Sequence, residues 1–270
     1  MKQLFPAQNI DLEPDQIYKV PELNFPAGGV AVTGGERRPY VYFNMVSSVD
    51  GKAVSAAGNA EGLGSKIDFH MMGRLRLAAD AILVAASTFR RDSFVPSVRP
   101  QFVAERALYF PDKAPPLGVV LSSDGNIPMD KKFFEAGPES RLVALGAKTT
   151  SQQEARISKY ARIVRVPDNS LGKPDAGWLL RYLYREMGIQ VLLCEGGPTL
   201  NYSLISSGYG DELFLTFAPR LVGSSDNKTI LSGSGQGFEL KEIPRLELIS
   251  LYAEESELFF RYRLNLNKGD

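Results

Sequence analysis

The chain has 270 residues, 44% hydrophobic and 23% charged, an ordinary globular balance with length for one large domain or two small ones. Lys+Arg and Asp+Glu both number 31, so no global charge favours nucleic acid or an anionic membrane, and no apolar run is as long as a membrane span. One cysteine and one histidine exclude a disulfide framework, a structural zinc site and a zinc-dependent deaminase.

In chain order, residues 1–38 carry Pro6, Pro14, Pro21, Pro26 and two Gly-Gly pairs, and read as an irregular arm wrapping the surface or a partner subunit. The first six residues lack the apolar core of a secretion signal, and with a single cysteine the cytoplasm is the default expectation. Residues 39–270 then read as one α/β domain. A strand is expected over 40–46, running into Asp50-Gly51, whose chemistry suits a tight turn. Ser65 follows a glycine-rich loop as a helix N-cap, with Asp68 three residues on as a variant capping box. The helix to about 77 stacks Ile67, Met71, Leu75 and Ala78 on one face; His70 borders that stripe and reads as a packing residue. A buried strand over 80–85 ends in small residues and Thr88. A long proline-rich connection spans 93–117, strands are expected at 119–121 and 141–145, a helix at 151–160, a strand at 162–166 and a helix at 176–187. Another strand covers 211–217. The alternation at 246–253 and 258–264 across Glu254-Glu255-Ser256 is an antiparallel hairpin.

The chain is organised around Val191-Leu192-Leu193-Cys194-Glu195-Gly196-Gly197-Pro198-Thr199-Leu200-Asn201. Four apolar residues read as a buried strand of a parallel sheet, and Pro198 suits the first turn of a helix. Converging amides at that helix start favour a bound phosphate; the plainer alternative is a tight strand-to-helix connection with an exposed Glu195. Asp211-Glu212 reads as a strand-entry or interface pair. Thr88, Ser122-Ser123 and Gly196-Gly197 all stand at strand tips, where an open α/β sheet takes a nucleotide. The residue pattern by itself leads to a nucleotide-binding α/β protein with a mixed, mostly parallel central sheet and a C-terminal hairpin.

Four segments together resemble one family, the reductase domain of the bifunctional riboflavin-biosynthesis deaminase–reductase. They are Asn44-Met45-Val46-Ser47-Ser48-Val49-Asp50-Gly51-Lys52, residues 76–92, residues 195–201, and Asp211-Glu212-Leu213 with Pro219 and Gly223. The resemblance covers about residues 39–264 and implies a dihydrofolate-reductase-like fold, a homodimer, and reduction by NADPH of a ribosylamino-pyrimidinedione 5′-phosphate to its ribitylamino form. It also implies roles for single residues. Lys52, with Asp50 beside it, matches the catalytic position. Ser65, Arg76, Arg99 and Glu195 match substrate positions, the two arginines suiting a phosphate. Thr88, Asp92, Ser122, Gly196, Gly197, Thr199 and Leu200 match cofactor positions, and Arg90 and Arg91 are candidates for selecting a 2′-phosphate. Ala60-Glu61-Gly62 stands where the fused enzymes carry a Ser-x-Trp segment. Two alternatives therefore remain: a pteridine or dihydrofolate reductase, and a non-catalytic nucleotide-binding dimer.

Overall fold

Residues 1–7, 11–32, 34–223, 228–233 and 237–266 are described by the computed structural model; the rest of the N-terminal arm and of the C-terminus lies outside the described residues. They fall into two units, one of Met1–Asn24, Val41–Leu77 and Cys194–Asp270, the other of Phe25–Tyr40 and Ala78–Leu193.

In the first unit, five strands hydrogen-bond in the order Lys2–Phe5, Arg245–Glu254, Glu257–Asn265, Glu212–Ala218, Tyr40–Ser48. The first three pairings are antiparallel and the last is parallel, with Ala218 opposite Ser48. Period-two alternation explains the hairpin: Phe259 turns inward and is buried, while Phe260 and Tyr262 stack on the other face, 5.4 Å apart. Tyr42, Phe214 and Phe259 are buried on one face of the sheet, as are Met71 and Leu75 of the helix Lys66–Ala78, while Phe43 is buried on the other face. Tyr42 donates its hydroxyl to the Leu75 carbonyl at 2.8 Å, which fixes the last turn of that helix, one residue before Arg76.

The second unit has the strand order Val191–Cys194, Ala81–Ala85, Leu117–Ser122, Arg141–Leu145, Arg162–Arg165. The pairings from Ala81–Ala85 to Arg162–Arg165 are all parallel. Every residue of Arg141–Leu145 is buried, as expected of a strand covered on both faces. Phe89, Phe94, Phe133 and Phe134 pack edge-on or stacked at 5.0–6.4 Å, and the Arg141 guanidinium lies over Phe133. Local capping sets the helix starts: Thr150 accepts from Gln153 N, and Asp175 accepts from Trp178 N at 3.0 Å.

The mixed α/β architecture and the hairpin follow the sequence expectation closely. Three local readings change. Lys2–Phe5 is a strand, because Arg245–Glu254 supplies it with a hydrogen-bonding edge; its register pairs Lys2 with Ala253 and Gln3 with Tyr252. Asp68 completes no capping box: its carboxylate bonds the Thr216 side chain instead. The helix after Thr150 is Ser151–Ile157, shorter than the expected 151–160. Asp211 and Glu212 do enter a strand, as expected. Asp211 accepts from Val41 N at 2.7 Å, and buried Glu212 takes two hydrogen bonds from Arg261 at 2.8 and 3.0 Å.

Candidate active site

Tyr40–Ser48 and Glu212–Ala218 run parallel, so their carboxyl ends emerge together and the loops leaving them can meet. From the first comes the turn that carries Lys52. Gly51, at φ +77°, adopts the left-handed backbone that glycine supplies without strain. Ser48 closes the turn twice: its N–H donates to the Lys52 carbonyl and its hydroxyl oxygen accepts from Lys52 N, both at 2.9 Å. That hydroxyl donates to Asp50 Oδ1 at 2.6 Å. The Asp50 carboxylate also accepts from Val222 N at 3.1 Å and Gly223 N at 2.8 Å, on the loop leaving the neighbouring strand. Hydrogen bonds from Ser48, Gly223 and Val222 hold its carboxyl down at about 2.

Glu195 follows the buried strand Val191–Cys194. Arg76 Nε and a terminal nitrogen of its guanidinium donate to the two Glu195 oxygens at 2.6 and 2.7 Å. The side chains are only 11% and 10% exposed, so the pair is charge-assisted and shielded. Burial alone lowers the Arg76 pKa, but the Glu195 charge and hydrogen bonds outweigh it and leave the guanidinium above its ordinary value. This edge of Arg76 therefore meets a carboxylate of the chain itself.

After Glu195, Gly196 has φ +90° and Gly197 is the N-cap of the helix Pro198–Ser206, which has no side-chain cap. Among the described residues no side chain caps its first amides, and Thr199 is exposed there while Leu200 is buried. Behind the turn, Cys194 donates to Asn201 Oδ1 at 3.4 Å, and Asn201 donates to the Ile230 carbonyl at 3.1 Å. Burial pushes the Cys194 thiol up to about 12, so it stays protonated and unreactive near neutrality.

Ser65 caps its helix, accepting from Ile67 N at 2.9 Å and Asp68 N at 3.3 Å. Its own N–H and hydroxyl donate to the Glu257 carboxylate on the hairpin. Burial raises the neighbouring Asp68 carboxyl to about 6; the Thr216 hydrogen bond opposes that rise and the Glu257 charge adds to it.

In the second unit, Ala81–Ala85 and Leu117–Ser122 are parallel neighbours, which brings Thr88 and Ser122 to adjacent strand ends. Thr88 lies inside the helix Ala86–Arg91. Its carbonyl accepts from Asp92 N at 2.9 Å. The Ser122 hydroxyl is buried in its own turn, accepting from Gly125 N at 3.1 Å and lying 3.2 Å from Asp124 Oδ1. Arg90 donates to the Asn126 carbonyl, Arg91 is exposed, and Arg99 precedes the short helix Pro100–Phe102. His70 pairs with Asp15 at 2.9 Å. Ser48 and Glu257 are the contributors that sequence reading missed. Ser48 stood inside the quoted Asn44–Lys52 segment, whereas nothing near Glu257 in the sequence signals its partner. Among the described residues there is no cluster of metal-ligating side chains, and no helix is long and apolar enough to cross a membrane.

A lysine turn, a clamped carboxylate and a glycine-rich helix start all stand at or just beyond strand ends of an α/β fold, and the relatives that match the chain are reductases, which makes its class that of the oxidoreductases. The chain belongs to the RibD C-terminal domain family, whose model matches residues 39–258. It is 31% identical over 228 residues to the 2,5-diamino-6-ribosylamino-4(3H)-pyrimidinone 5′-phosphate reductase of Methanothermobacter thermautotrophicus, covering 83% of this chain and 98% of that one. The protein of the same name from Archaeoglobus fulgidus is 28% identical over 197 residues, 73% of this chain and 87% of that one. In fold it is similar to a pyrimidine reductase-like protein from Corynebacterium diphtheriae, at a TM-score of 0.71 and 23% identity over 85% of this chain and 93% of the other.

Proposed function

We propose that this protein reduces a ribosylamino-pyrimidine 5′-phosphate to its ribitylamino form in riboflavin biosynthesis, with NADPH as reductant, as a cytoplasmic homodimer. The observation that carries the reading is the Arg76–Glu195 clamp beside an uncapped glycine turn, in a chain whose named relatives match it along nearly their whole length.

Glu195, oriented by its two hydrogen bonds from Arg76, accepts a hydrogen bond from an N–H group of the pyrimidine ring. Arg76 serves the substrate through Glu195, and for Arg99 the role at the substrate phosphate rests on the family resemblance alone. Lys52, fixed by the Ser48 turn, donates from Nζ to the heteroatom whose bond to the sugar C1 opens as that carbon is reduced. The amides of Thr199 and Leu200, with glycines before them, suit a cofactor phosphate. When bound, the nicotinamide supplies the hydride. For Thr88, Asp92 and Ser122 the cofactor role rests on the family resemblance alone.

The test is NADPH oxidation by purified protein, measured in parallel with the ribosylamino-pyrimidine phosphate and with dihydrofolate. Turnover of the first alone is expected. Lys52→Met should lower kcat and kcat/KM together, by roughly 10²–10³, with NADPH affinity kept. An equally fast Lys52→Met enzyme would refute the role given to this lysine, and turnover of dihydrofolate alone would refute the substrate.

A further inference from the structure

Asp50 is exposed, yet both oxygens of its carboxylate accept hydrogen bonds. Oδ1 accepts from the Ser48 hydroxyl at 2.6 Å and Val222 N at 3.1 Å, and Oδ2 accepts from Gly223 N at 2.8 Å. None of these partners is a cation. A turn residue serving only its own turn would bond within residues 48–52, and the Ser48 contact does so. The other two reach across 172 and 173 positions to a different loop. Two backbone bonds run alongside: Val49 N donates to the Arg220 carbonyl and Ala53 N to the Lys228 carbonyl, each at 2.9 Å. The turn that presents Lys52 is thus stitched to the segment leaving Glu212–Ala218.

That segment is one wall of a cavity. Arg220, Leu221 and Val222 face Glu61, Gly62 and Leu63 around a volume of about 320 Å³. Val222 belongs to both structures, since its N–H is held by Asp50 while its residue lines the cavity. Leu221 beside it is 78% exposed. The wall's position relative to Lys52 therefore depends on the hydrogen bonds from residues 49–53, to which Asp50 contributes its side-chain carboxylate.

We propose that Asp50 is a positioning residue: its carboxylate clasps the Val222–Gly223 amides to the Lys52 turn and so sets the reacting lysine and the Arg220–Val222 wall in register for the substrate. In this role Asp50 acts through Lys52. The inference rests on the reductase reading for its catalytic half, while the clasp itself is a matter of hydrogen bonding. With its carboxyl held at about 2, Asp50 is ionised throughout the neutral range, which suits a permanent clasp. Asn at this position keeps the size and one acceptor oxygen but cannot accept at both carboxylate oxygens.

Two measurements on the full chain test it. Hydrogen exchange at the Val222 and Gly223 amides reads the clasp without any turnover: protection should fall at least about tenfold in Asp50→Asn and in Asp50→Ala, with other amides of the unit unchanged. A double-mutant cycle with Lys52→Met reads the coupling. Asp50→Asn should lower kcat about tenfold with KM little changed in the native background, and by less than about twofold when Lys52 is already Met. A residue serving stability alone would lower both backgrounds by the same factor, and that result would overturn the proposal. So would unchanged protection at Val222 and Gly223. If the native enzyme turns over no ribosylamino-pyrimidine but the two amides lose protection as expected, the reductase reading fails and the catalytic half falls with it, while the clasp stands.

Discussion

Arg76 and Glu195, 119 positions apart in sequence, face each other through two parallel hydrogen bonds of 2.6 and 2.7 Å, each side chain about one-tenth exposed. Two charges out of water hold each other, so the loss of either leaves the other buried alone. Arg76→Met should destabilise the fold by about 3 kcal/mol. Adding Glu195→Gln to the same chain should recover a substantial part of that loss, because no bare charge then remains. Denaturant midpoints of the single and double variants check this, and purely additive losses would show that the two side chains are not energetically coupled.

The same geometry limits how Glu195 reads a substrate. A carboxylate already forked by a guanidinium has its remaining lone pairs on diverging sides, and cannot grip a second planar edge with two donors. In the substrate role proposed for it, Glu195 should therefore distinguish only weakly between a ring bearing a 2-amino group and one bearing a 2-oxo group. The 2,5-diamino-pyrimidinone and the pyrimidinedione phosphates should be turned over with kcat/KM values within about tenfold, equivalent to about 1.4 kcal/mol. Competition between the two substrates measures the ratio directly. A preference of a thousandfold would mean that another group reads this position.

Asp68 gives a prediction with a sign. Burial raises its carboxyl from 3.8 to about 6 in the folded state, so the native protein holds the proton more tightly than the unfolded chain does. The penalty for ionising it is fully present above about pH 6 and is relieved as pH falls toward 3.8. Asp68→Asn should stabilise the protein at pH 7.5, by about 3 kcal/mol at most, and the advantage should vanish near pH 4. Thermal melts of both proteins across that window check it. A gain independent of pH would mean that ionisation is not its source.

Gly197 sits at φ −79° and ψ −174°, backbone that any residue adopts, whereas Gly196 at φ +90° is where glycine itself is required. Gly197→Ala should therefore keep the fold, while its added methyl group blocks close approach of a phosphate to the helix start. A loss of at least tenfold in NADPH affinity is expected, with the melting temperature within a few degrees of the parent. Titration of NADPH and NADH against both proteins provides the check, and should also show the preference for NADPH that its extra phosphate implies. Unchanged binding would confine Gly197 to the turn.

What the sequence determined by itself was everything encoded in neighbouring residues. The apolar run 191–194, the glycine pair after Glu195, the Pro198 helix start and the alternating hairpin were legible because strand period, helix entry and turn chemistry are local. The motif around Lys52 was legible for the same reason. The tertiary structure decided which side chains meet. Arg76, read as a phosphate ligand, meets Glu195. Ser65, read as a substrate contact, meets Glu257, 192 positions away. Asp50 meets the amides of Val222 and Gly223, and Lys2–Phe5 becomes a strand only because Arg245–Glu254 offers an edge. A charged or hydroxyl side chain has many partners available to it along a chain, and only the folded backbone brings one of them within 3 Å and out of water.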